Sequence, residues 1–195
     1  MATMDVRWAA WDGSGLEHLR LTIEPTFVYA DGVILAVDAS GRPYRARYRV
    51  DCDERWTVRR AHIEMLEEPV RRLDLRVHQG SHWIDAATGV PLSLPGCVDV
   101  DIYPSPFTNT LPMRRFSSPV IGQPAVIAVA WVGLPELTIR VAHQEYTLLE
   151  RVADGARWRF RDLDSGFTVD LLVDRDSLVR DYPDLARRWC AIEKR

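Results

Sequence analysis

Tyr44-Arg-Ala-Arg-Tyr-Arg-Val-Asp-Cys-Asp53 alternates without a break. Tyr44, Ala46, Tyr48, Val50 and Cys52 fall on one side, and Arg45, Arg47, Arg49, Asp51 and Asp53 on the other. A period of two belongs to a β-strand with one face in a core, because successive side chains point to opposite sides of the sheet. Ten residues at about 3.3 Å each span roughly 33 Å, so the long charged face must be wet or ion-paired. The same period continues on either side. Leu19, Leu21 and Ile23 alternate with His18, Arg20 and Thr22; Leu73, Leu75 and Val77 alternate with Arg72, Asp74 and Arg76. Trp158 and Phe160 alternate with Arg157, Arg159 and Arg161, and Phe167, Val169, Leu171 and Val173 with Thr168 and Asp170. Asp31-Gly32, Ser40-Gly41, Gln79-Gly80, Thr88-Gly89, Asp154-Gly155 and Ser165-Gly166 read as turns in which glycine supplies a positive φ. Strands and turns at roughly 8–14-residue intervals leave no room for crossover helices and predict an antiparallel meander.

Two strands carry special expectations. Ala125–Val132 is apolar on both faces, which predicts a strand in the middle of the sheet, covered on each side, with Trp131 in the core. Leu137, Ile139 and Val141 lie on one face and Tyr146 and Leu148 on the other, which predicts a bulge or bend near Ala142–Gln144. Helical signals are few. Ser105 can cap a helix running to Phe116, with Pro106 in its first position and Pro112 ending, kinking or restarting it. After Tyr182-Pro183-Asp184, the stripe Leu185, Trp189 and Ile192 predicts a short C-terminal helical segment packed on the sheet. No linker or repeat divides residues 1–195, which read as a single domain. A sheet of this size must close, or wrap around something, to bury its apolar face, and a curl of that kind tends to leave an apolar cleft.

Composition excludes several classes. The chain has 195 residues, 25 basic and 28 acidic, and a net charge of -3, against the basic balance of a nucleic-acid binder. No apolar run approaches the ~20 residues of a membrane-spanning helix. The first residues carry Asp5, Asp12 and Glu17 with no unbroken apolar stretch, so no secretory signal is expected and the location expected is cytoplasmic. Cys52, Cys97 and Cys190 are widely spaced without a Cys-x-x-Cys pair, as free thiols in a reducing compartment would be. His18, His62 and His143 are isolated, and His78 and His82 flank a turn, so no metal site and no cofactor is expected. No Gly-x-Ser-x-Gly occurs.

The densest chemistry lies between Cys97 and Phe116. Alternation from Val98 to Tyr103 places Asp99 and Asp101 on one side, their Cα atoms about 6.6 Å apart. Like charges this close raise at least one pKa unless a cation or donor compensates, and Arg114 and Arg115 are the nearest cations in sequence. Thr108, Asn109 and Thr110 add short polar groups to a backbone stiffened by Pro104, Pro106 and Pro112. An acid-lined loop beside an apolar cleft suits a hydroxyl-rich head group. Trp56, Trp83 and Tyr146 are candidates for the cleft rim, where an indole or phenol face can meet a sugar ring. Two other readings stand beside this one. A glycoside hydrolase would need Asp51, Asp53 or Glu64 brought opposite Asp99 and Asp101. A purely structural dimer would need no ligand.

Cys97-x-Asp-x-Asp101 followed by Thr108-Asn-Thr-Leu-Pro-Met-Arg-Arg115 resembles the signature of a bacterial glycolipid-binding family, earlier filed as a domain of unknown function. Tyr48-Arg-Val-x-Cys-Asp53 with Trp56 and Arg59-Arg60, Trp131-Val132 with Leu134-Pro135, Gln144-x-Tyr-Thr147 and Val173-Asp174…Leu178-Val-x-Asp-Tyr-Pro183 also fit, so the likeness runs from about Trp11 to Arg188. Met113 stands where an aliphatic such as Ile is usual. The resemblance implies a mainly β fold, a long, curved, mostly antiparallel sheet wrapped around a single helix, distantly like bacterial lipoprotein-localisation factors. It also implies a homodimer and an acidic pocket for glycolipid. The residues expected to hold the head group are Asp99, Asp101, Asn109, Arg114, Arg115, Gln144 and Tyr146, with Trp56, Trp83 and Glu64 at the rim. No catalytic residue is expected: the ligand, a glycolipid or related saccharide-bearing lipid, is bound without being transformed.

Overall fold

The computed structural model of the chain describes residues 1–78 and 82–189. Among the described residues, fifteen strands form one sheet: β1 (Ala2–Ala10), β2 (Leu16–Ile23), β3 (Phe27–Val37), β4 (Pro43–Asp53), β5 (Val58–Met65), β6 (Arg72–His78), β7 (His82–Asp85), β8 (Val90–Pro91), β9 (Cys97–Tyr103), β10 (Pro124–Gly133), β11 (Thr138–Val152), β12 (Gly155–Asp162), β13 (Thr168–Asp174), β14 (Val179–Tyr182) and β15 (Ala186–Arg188). Their order is β8-β7-β6-β5-β4-β3-β2-β1-β15-β14-β13-β12-β11-β10-β9. Every pairing is antiparallel except the parallel pair β9 and β10.

The order itself demands a curl. β8 and β9 lie at opposite ends of the sheet, yet only residues 92–96 join them. Such a link reaches about 20 Å at most, so the two ends must come close together. The Trp83 indole N–H on β7 donates to the Cys97 carbonyl on β9 at 2.9 Å and ties them. On β4 the alternation holds throughout, with Tyr44, Ala46, Tyr48, Val50 and Cys52 buried. Its charged side is paired across strands: Arg47 with Asp31 at 2.6 Å, and likewise Arg60 with Asp74 on β5 and β6 at 2.6 Å.

The helical segment lies inside this curl. Ser105 accepts a hydrogen bond from the Phe107 N–H at 3.2 Å, capping a 3-10 turn at Pro106–Asn109 that passes into α1 (Thr110–Arg115). Pro112 falls in the first turn of α1, where its missing N–H costs no hydrogen bond, so the helix restarts rather than ends. Phe107 and Leu111 enter one buried cluster with Trp8, Leu19, Tyr48 and Ile63. Met113 enters a second, with Tyr146, Leu148, Trp158 and Phe160. The helix therefore joins the two halves of the core.

Four expectations are corrected. Gly32 lies in the middle of β3, opposite Tyr48, and makes no turn. The strand β10 is next to the sheet edge, with Val126 60% exposed, because only its C-terminal half is covered on both faces. Trp131 is accordingly half-buried, stacked on Tyr103 at 6.3 Å and lying under the Arg140 guanidinium at 4.5 Å. β11 pairs with β10 in unbroken register from Thr138 to Thr147, and its irregularity falls between Leu148 and Glu150 against β12. Ile139 and Val141 pack beside Val132 and Ala130 on one face while Ala142, Gln144 and Tyr146 are buried on the other, so the face switch needs no bulge. The fourth is the C-terminal helix. Residues through Arg188 form the β14–β15 hairpin, which pairs with β13 on one side and β1 on the other and joins the two halves of the sheet. Ile192, Cys190 and the Gln79-Gly80 pair lie outside the described residues.

Candidate functional site

The block between Cys97 and Phe116 folds into a polar network around the helix. The same face of β9 carries Asp99 and Asp101, as the alternation requires. Asp99 is fully buried and receives the Arg115 guanidinium at 2.6 Å. Asp101 accepts from the Thr108 hydroxyl at 2.8 Å and from the Gln144 amide at 2.6 Å. The Tyr146 hydroxyl donates toward Asn109 Oδ1 at 3.0 Å and Gln144 Oε1 at 3.2 Å. Burial pushes both carboxyls above their usual range, opposed at Asp99 by Arg115 and at Asp101 by the bonds from Thr108 and Gln144. Burial also drives the Tyr146 phenol well above its ordinary value.

Six of the anticipated residues thus fall into two hydrogen-bonded sets, Asp99 with Arg115, and Asp101 with Gln144, Tyr146 and Asn109. Arg114 turns the other way and places its guanidinium over the buried Trp56 ring at 4.9 Å. Trp83 is buried at the seam of the curl. Glu64 sits between the inward-facing Ile63 and Met65 and so projects from the other face of β5. The network's hydrogen bonds are turned inward, and none of its members lines the cleft described next.

At the mouth of the curl, the ends of β1, β2 and β3 meet the start of the helix and the turn after β10. They enclose a cleft of about 410 Å³, within the usual range for small-molecule sites. Trp8, Leu16, Ile34, Leu35, Val37, Tyr44, Tyr103, Leu134 and Leu185 supply apolar wall. Asp12, Glu17, Asp38, Glu136 and Asp184 supply carboxylates, and among the described residues the lining has no Arg, Lys or His. Asp12 and Asp38 are fixed by the turns they cap, Asp12 by the Ser14 N–H at 2.9 Å and Asp38 by the Ser40 N–H at 2.8 Å.

Glu17 is the residue that sequence reasoning missed. It shares the parity of Leu19 and Leu21 on β2, and is 5% exposed. A carboxylate in step with an apolar stripe was the available signal. Tyr48 Oη donates to Glu17 Oε1 at 2.6 Å and Ser105 Oγ donates to the same oxygen at 2.8 Å. Oε2 has no hydrogen-bond partner among the described residues, and Glu17 is one of the residues lining the cleft. Burial, with only hydrogen bonds against it, pushes the carboxyl up to about 7. The reach of Tyr48 depends on Gly32. Tyr48 on β4 stands opposite Gly32 on β3, which stands opposite Leu19 on β2, and the phenol ring crosses the space a Cβ at Gly32 would fill. Glu17 is in this way tied to β4 and to the residue that caps the helix.

Among the described residues, no three His, Cys, Asp or Glu side chains converge to hold a metal ion, and no helix is long and apolar enough to cross a membrane. A family model described as "Putative glycolipid-binding" matches residues 5–188. The crystal structure of a DUF1089 family protein from Pseudomonas aeruginosa is similar at 37% identity and a TM-score of 0.77, covering 90% of this chain and 92% of that one. A search of curated proteins found no match. Since the family match takes in the sheet from β1 to β15 and the helix within it, the chain belongs to the family described as putative glycolipid-binding.

Proposed function

We propose that the chain binds a glycolipid or related sugar-bearing lipid in the mouth cleft and does not transform it. The observation that carries this reading is the pairing of apolar walls with a rim of carboxylates in one concavity. Apolar walls gain about 0.8 kcal/mol for each methylene taken out of water. Carboxylates accept hydrogen bonds from adjacent sugar hydroxyls. Binding is favoured over hydrolysis because Asp99 and Asp101 spend their acceptors on Arg115, Thr108 and Gln144, and face no bond lying in the cleft. The chain would work as a homodimer on the cytoplasmic side, where inner-leaflet lipids and their precursors are within reach.

Mass spectrometry of lipid extracted from the purified protein tests this, beside an Ala36→Trp variant that fills the cleft from a half-buried wall position. An intact glycolipid from the natural chain, lost from the variant at unchanged thermal stability, is expected. Lipid retained by the variant, or turnover of generic glycosides by the natural chain, would overturn the reading. Sedimentation of the same sample tests the dimer.

A further inference from the structure

We propose that the head group this cleft selects is cationic, an amine-bearing sugar whose nitrogen seats on Glu17 Oε2. This deepens the glycolipid reading and rests on it. Arginine is the common partner of carboxylates elsewhere in this chain: Asp31, Asp53, Asp74, Asp99 and Asp170 each hold one within 2.8 Å. The five cleft carboxylates hold none. Neither Asp12, Glu17, Asp38, Glu136 nor Asp184 has an ion-pair partner among the described residues. Glu136 and Asp184 have no side-chain hydrogen bond there either. Arg42 lies near Asp38, donating its backbone N–H at 3.0 Å and helping to lower that carboxyl, but forms no ion pair with it, and among the described residues no arginine lines the cleft.

A ligand that closes over this cleft removes water from those carboxylates, and desolvated carboxylates need a counter-charge. An anionic head group adds repulsion. A neutral sugar donates hydroxyl hydrogen bonds but leaves the charge uncompensated. An ammonium supplies both charge and donors. Glu17 gives the contact a defined place. Its Oε1 already accepts from Tyr48 and Ser105, so a proton on the neutral acid, or an N–H from a ligand, must sit at Oε2. When an ammonium meets Oε2, the carboxyl proton leaves to solvent and the ammonium N–H takes its position. Tyr44 and Tyr103 line the same cleft.

Three octyl glycosides with one tail and one ring size separate the possibilities: octyl glucosaminide, octyl glucoside and octyl glucuronide, each titrated calorimetrically near neutral pH below its micelle concentration. The glucosaminide is expected to bind at least tenfold more tightly than the glucoside, with no detectable binding of the glucuronide. Its advantage should shrink with added salt and narrow in Glu17→Gln. Affinity for the glucoside equal to or above that for the glucosaminide would overturn the cationic head group and leave the glycolipid reading standing. No binding of any of the three, or binding that Ala36→Trp leaves unchanged, would overturn both.

Discussion

A carboxyl group taken out of water without a cation keeps its proton to higher pH than one in solvent, and Glu17 is such a group. Its folded pKa of about 7 lies above the ordinary 4.5, so the folded chain binds the proton more tightly than the unfolded one. The stability this contributes is complete below pH 4.5 and is lost as pH rises through about 7. The full loss is about 3 kcal/mol at 1.36 kcal/mol for each pH unit. Glu17→Gln keeps an acceptor for Tyr48 and Ser105 but has no proton to lose. Urea denaturation across that pH range should therefore show the natural chain losing about 3 kcal/mol more than the variant. Parallel losses in both would contradict the burial of Glu17. Gly32→Ala probes the same contact from β3. Its methyl would occupy the path of the Tyr48 ring, and a cost of about 1–3 kcal/mol is expected in the same assay. The Asp31-Gly32 pair reads as a turn because such pairs usually supply positive φ. This glycine is needed for its missing side chain, and local sequence does not distinguish the two uses.

At the scale of elements, the helix and β9 depend on each other through Asp99 and Arg115. Arg115→Ala leaves a buried carboxylate without its cation and should cost about 3–5 kcal/mol. A double-mutant cycle with Asp99→Ala should return a favourable coupling, because removing both charges together spares the unpaired one. Octyl glucoside affinity of the folded variants is expected to stay at the natural level, since neither side chain lines the cleft. A fall in affinity without loss of stability would return these residues to the binding site. Sequence placed both aspartates on one face and capped the helix at Ser105, because alternation and capping are local rules. It could not choose between Arg114 and Arg115. Neighbouring helical residues point about 100° apart, so one faces β9 and the other crosses to Trp56.

For the whole molecule, curvature decides where a ligand can enter. Alternation in β2, β4, β6 and β12 established which face is buried, but not which strands meet. The C-terminal stripe shows the limit of local pattern. Leu185 and Trp189 keep helical spacing, yet the segment between them turns back on β14 as a hairpin and pairs on its other side with β1, an edge that no short window contains. Pairing there completes the sheet, and the mouth it leaves open is lined by β1–β3, the helix start and the turn after β10. The most direct test of that mouth as the binding site is methyl NMR of the chain, labelled at Ile, Leu and Val, with octyl glucoside added. Nuclear Overhauser contacts from the octyl chain to Ile34, Leu16 and Leu134 are expected. Contacts confined to methyls of the other core cluster, such as Leu148 and Leu171, would contradict it.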